Sequence, residues 1–98
     1  MSNEADDTDE WDEIGFVISS KYRIAVLETL ATGPSIPSSI AAETGLPITH
    51  VSRALRALRE RSLVELLVSK QKKKGRIYGM TERGQQLWKR IEAEGLID

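Results

Sequence analysis

The sequence predicts a small α+β domain, mainly helical with one β-hairpin, in the order α-α-α-β-β-α. Three observations lead there. Apolar residues recur at helical spacing through most of the chain, most regularly at Val51, Ala54, Leu55 and Leu58. The period changes once, at the β-prone run Leu63 to Val68, which a charged stretch separates from a second run, Arg76 to Met80. Glycine and proline stand at the joints, as Gly33-Pro34, Gly45-Leu46-Pro47, Gly75 and Gly95.

The chain has 98 residues, enough for one core. No apolar stretch is long enough to span a bilayer and no basic, apolar leader opens the sequence, so a cytoplasmic protein is expected. There are no cysteines and one histidine, His50, which argues against thiolate metal sites, disulfides and a cysteine nucleophile. No phosphate loop, dinucleotide fingerprint, nucleophile elbow or HExxH motif is present. Neither an enzyme nor a cofactor or metal requirement is expected.

The net charge of −1 conceals a separation of signs along the chain. Residues 1–13 carry seven of the 15 acidic residues and no Lys or Arg, which leaves residues 14–98 at +6. Before Trp11 there is no large apolar residue except Met1. Like charges repel and little apolar area offsets the ordering entropy, so residues 1–10 are expected to form a disordered acidic tail on a domain of residues 11–98.

Trp11, Ile14, Val17 and Ile18 share a helical face, and Tyr22, Ile24, Leu27, Leu30 and Ala31 follow after a capping serine at 19 or 20. The two stretches are compatible with one kinked helix that Gly33-Pro34 ends. Pro37 suits a first helical position, and a short helix to Thr44 turns Ile40 and Ala41 inward. Gly45 supplies the left-handed turn residue, and Pro47 leads into a longer helix from Ile48 to Ser62. One face of that helix is apolar, while His50, Ser52, Arg53, Arg56, Arg59 and Glu60 occupy the other. The hairpin follows, with a tip at residues 69–75 containing Lys72-Lys73-Lys74. Thr81 then caps a last helix carrying Leu87, Trp88 and Ile91, which Gly95 stops.

A short helix, a glycine turn and a longer helix with a basic outer side is a helix-turn-helix layout, and a cationic hairpin directly after it can rest on neighbouring phosphates. Over roughly residues 20–94 the chain resembles the winged helix-turn-helix regulators, especially the MarR and ArsR-like groups. The resemblance is carried by Tyr22-Arg23-Ile24-Ala25-Val26-Leu27, by Ser39-Ile40-Ala41-Ala42-Glu43-Thr44-Gly45-Leu46-Pro47, by Val51-Ser52-Arg53-Ala54-Leu55 and by Leu58-Arg59-Glu60-Arg61-Ser62-Leu63-Val64. Its most specific part is Arg76-Ile77-Tyr78-Gly79-Met80-Thr81-Glu82-Arg83-Gly84. Met80 and Ser62 stand where these families usually have leucine and glycine, and the flanking helices are shorter than in typical MarR-like chains.

The resemblance implies a transcriptional regulator that binds double-stranded DNA sequence-specifically, with helix 48–62 in the major groove and wing 69–75 on the backbone. Thr49, His50, Ser52 and Arg53 lie in the first turns of that helix and are the expected base contacts. Ser38, Arg56, Lys70, Lys72, Lys73, Lys74 and Arg76 are the expected backbone contacts. Arg76 has two readings, a contact in the DNA minor groove or a cross-hairpin ion pair with Glu65. Trp11, Leu87, Trp88 and Ile91 are the expected surface of a homodimer. The competing reading is a winged-helix module that binds protein or RNA within a transcription or translation assembly.

Overall fold

A computed structural model of the chain describes residues 2–67 and 76–97, with side chains from residue 10 onward. Five helices and a two-stranded sheet follow one another as α1 (Ser2–Ile18), α2 (Lys21–Leu30), α3 (Pro37–Thr44), α4 (Ile48–Glu60), β1 (Val64–Leu66), β2 (Tyr78–Met80) and α5 (Glu82–Ala93). The expected mainly helical fold with one hairpin is present, and the stretch compatible with one kinked helix is two. Ser20 separates them. Its extended backbone and its hydroxyl, which accepts from the Arg23 N–H at 3.3 Å, start α2 afresh.

α1 begins inside the acidic segment rather than at Trp11. α4 ends at Glu60, two residues before Ser62, and both strands are shorter than their β-prone runs.

The strands pair antiparallel, Val64 with Met80, Glu65 with Gly79 and Leu66 with Tyr78. A bridge from Ser35 extends the sheet: its N–H donates to the Tyr78 carbonyl at 2.9 Å, and the Tyr78 N–H donates back at 2.8 Å. These two bonds fix the entry to α3 beside the root of the wing.

One core joins every element. Val26, Leu27 and Leu30 of α2, Ile40 of α3, Val51, Leu55 and Leu58 of α4, Leu63 and Val64, and Leu87, Trp88 and Ile91 of α5 are all buried, with Ile14 and Val17 closing the α1 side. α5 approaches the end of α4 closely because residue 84 is glycine. A Cβ there would fall on the Leu63 carbonyl oxygen.

Candidate nucleic-acid interface

The turn between α3 and α4 is built from local chemistry. Gly45 takes φ 74°, the left-handed region open to glycine, and its N–H donates to the Ala41 carbonyl at 2.8 Å. The Thr44 hydroxyl donates to the Ile40 carbonyl at 2.7 Å and accepts from the Leu46 N–H at 3.3 Å. Pro47 stands at the N-cap of α4 without a side-chain capping bond. Ile36 at the N-cap of α3 has none either, and Ser38 is exposed in the first turn of that helix. Both helices therefore begin with backbone N–H groups that no capping side chain covers.

Val51, Ala54, Leu55 and Leu58 pin α4 to the core, and Thr49, Ser52, Arg53, Arg56 and Arg59 are exposed. A groove of about 600 Å³ runs between this outer face and the wing root. It is lined by Ser52, Arg53, Leu55, Arg56, Arg59 and Glu60 of α4 together with Pro37, Arg76 and Tyr78. The structure thus brings Ser52, Arg53, Arg56 and Arg76 together. Glu65 faces Gly79 across the hairpin, and among the described residues no ion pair joins it to Arg76. Arg76 lines the cleft instead.

His50 stands apart from that group. Its half-buried ring stacks on Tyr22 of α2 at a centroid separation of 4.4 Å and an interplanar angle of 10°, so it holds α4 against α2. Lys70, Lys72, Lys73 and Lys74 lie outside the described residues.

The arginines fall into two sets. On the α1 side each has a partner: Arg83 and Arg61 meet the Glu13 carboxylate at 3.1 and 3.5 Å, and Arg90 meets Glu10 at 2.6 Å. Arg23 donates to the Phe16 carbonyl at 2.6 Å, and the Phe16 ring lies between the guanidinium groups of Arg23 and Arg61, each 3.9 Å from its centroid. On the groove side, Arg53, Arg59 and Arg76 have no ion pair among the described residues. Arg56 has only a 3.9 Å contact with exposed Glu60. A pair that open to water contributes close to nothing.

The surface expected for a dimer divides as well. Leu87, Trp88 and Ile91 are buried within the chain's own core at 5%, 3% and 0% exposure, which removes them from any surface. Their helical spacing reflects the core. Trp11 is 45% exposed beside Arg90, and Leu96 beyond α5 is 36% exposed. Arg59, on the basic face of α4, lines the groove, and Ile48 is a further exposed residue of the same helix. Arg59 was legible from its position on the basic face, whereas Ile48 gives no such signal because isoleucine is ordinarily assigned to the core.

Helix, turn, second helix and hairpin, in this order and packing, make the molecule a winged helix-turn-helix domain. More narrowly, residues 11–94 match the family model described as the HVO_A0261 N-terminal domain, and the chain belongs to that family. No curated protein matches it. Among solved structures it is similar to the homodimeric winged helix-turn-helix DNA-binding domain (fragment 1–100) of Mb0332 from Mycobacterium bovis, a possible ArsR-family transcriptional regulator. The two are 24% identical with a TM-score of 0.72 over 96% of this chain and 85% of that one. It is similar also to NMB1585, a MarR family regulator from Neisseria meningitidis, at 26% identity and a TM-score of 0.70 over 97% of this chain and 66% of the other. Lactococcus lactis ZitR, as its C30AH42A mutant, is 22% identical with a TM-score of 0.69 over 76% of this chain. The chain spans 51% of the ZitR chain. Among the described residues no helix is long and apolar enough to cross a membrane.

Proposed function

We propose that this chain is a transcriptional regulator that binds double-stranded DNA sequence-specifically, with α4 in the major groove and the wing on the adjacent backbone. The separation of the arginines carries this reading. Glu10 and Glu13 neutralise basic residues on the α1 side, while Arg53, Arg56, Arg59 and Arg76 stay without strong partners around one groove. A purely solubilising set of charges has no reason to sort itself this way, whereas a polyanion has every use for it.

Thr49, Ser52 and Arg53 occupy the first turns of α4, the part of a recognition helix that meets base edges, and a guanidinium at Arg53 can pair bidentately with guanine. His50 offers only a ring edge from its stack on Tyr22. Ser38, with the N-terminal amides of α3, and Arg56 and Arg76 are suited to phosphates, as are Lys70, Lys72, Lys73 and Lys74 by composition. The exposed Trp11 supports a homodimer formed at the α1 side, which would present two recognition helices to a palindromic site. The role is regulatory rather than enzymatic, in a cytoplasmic protein.

Selection of duplexes from a random pool tests the reading. An inverted repeat with half-site centres about 10 base pairs or a multiple apart is expected. Arg53→Ala should weaken binding to the best site by about 1–3 kcal/mol and relax preference at one base pair. Equal affinity for all duplexes, or preference for single-stranded RNA, would favour the protein- or RNA-binding alternative.

A further inference from the structure

We propose that Ile48 is a specificity-determining residue that reads the 5-methyl group of a thymine in the major groove, an inference that rests on α4 being the DNA-reading helix. Ile48 is the first residue of α4 and is 46% exposed, whereas Val51, Leu55 and Leu58 of the same helix are at most 1% exposed. It belongs to neither the buried core nor the partly buried residues that line it. Single exposed apolar residues are common on proteins, so exposure alone says little. Position is what distinguishes this one.

Ile48 is the helical neighbour, one turn back, of Ser52, and it adjoins Thr49 in the turn that also leads to Arg53. Cα–Cβ bonds tilt toward the helix N-terminus, so a side chain in the first turn projects past the helix end, where base edges lie when a recognition helix enters the groove. Polar groups on this turn can serve the donors and acceptors of the base edges. The thymine methyl is the one apolar feature those edges present, and it needs an apolar partner. A β-branched side chain with restricted χ1 is also held in advance of contact, which lowers the entropy lost on binding.

The experiment uses the full chain and its selected duplex. Deoxyuridine replaces thymidine one position at a time, removing only the methyl group. For the unaltered protein, one thymine per half-site should lose about fourfold in affinity, the factor that burial of one methyl-sized group supplies at 0.8 kcal/mol. Ile48→Ala should bind thymine and uracil duplexes equally at that position, and Ile48→Val should retain most of the preference. Thermal melting of both variants should stay close to that of the parent, since the residue lies outside the buried core. The inference is overturned if no uracil substitution weakens the parent, or if the same substitution weakens Ile48→Ala equally. In either case a retained preference for the selected duplex leaves the DNA-binding reading standing. Absence of any preference for the selected duplex over random DNA would overturn both.

Discussion

The Thr81 hydroxyl donates to the Ser62 carbonyl at 2.7 Å and accepts from the Gly84 N–H at 2.9 Å. One side chain thus caps α5 and ties it to the turn that ends α4. The Thr81 N–H completes the junction by donating to the Leu63 carbonyl at 3.1 Å. Gly84 lets the first turn of α5 lie against that same carbonyl. The Thr81-Glu82-Arg83-Gly84 signature therefore has a mechanical reading: it locks the last helix to the root of the wing. Thr81→Ala should cost about 1–2 kcal/mol as the cap and its cross-link are lost. Gly84→Ala should cost about 2–3 kcal/mol, because the opposing atom is backbone and cannot rotate away. Urea titration of each variant checks both.

Ser62 sits at φ 63°, the left-handed region that strains a residue bearing a Cβ. This is where related winged-helix sequences usually place glycine. The carbonyl that Thr81 holds belongs to this residue, so the strained turn is kept in place by the contact it makes. Ser62→Gly should raise stability by about 0.5–1 kcal/mol, the conformational strain exceeding the added entropy of the unfolded glycine. A rise in Tm of about 2–8 °C is the expected reading. A fall would mean that the serine side chain contributes more than its backbone costs.

What the sequence made legible was what local chemistry determines. Val51, Ala54, Leu55 and Leu58 declare the buried face of α4, Gly45 takes the left-handed turn, Pro37 opens α3 and Thr81 caps α5. Contacts made over long separations left no such trace. Glu10 and Glu13 look like members of an acidic tail until the fold brings Arg90, Arg83 and Arg61 to them. Stacking of His50 on Tyr22 likewise depends on how α2 crosses α4 and on nothing near either residue in the chain. Trp88 fits a core or an interface equally well by pattern, and only packing decides.

That decision makes α5 a matter of stability rather than of assembly. Trp88 is 3% exposed, so Trp88→Ala should cost about 3–5 kcal/mol and a charged residue more, unfolding much of a domain this small. The test of dimerisation belongs at the exposed Trp11. Trp11→Glu should keep a cooperative thermal transition and shift sedimentation from dimer to monomer. A parent protein that is already monomeric at high micromolar concentration would sink the homodimer.

The wing supplies the last prediction. Lys72, Lys73 and Lys74 lie between β1 and β2 in the chain, and Arg76, with Tyr78 at the start of β2, lines the groove. Ammonium groups on flexible stems serve phosphates better than bases, because they present a point charge without the planar fork that reads guanine. Binding of each lysine to a phosphate releases counterions, so its removal should reduce the slope of log affinity against log salt by about 0.9. Lys72→Ala, Lys73→Ala and Lys74→Ala combined should therefore flatten the slope by up to about three such steps, weakening selected and random duplexes alike. Arg53→Ala should behave in the opposite manner, losing more on the selected duplex than on random DNA, since a base contact adds to the specific complex alone. The two variants measured side by side across a salt series separate backbone from base contacts. An unchanged slope in the triple variant would take the wing off the DNA and leave the groove arginines as the only cationic surface engaged.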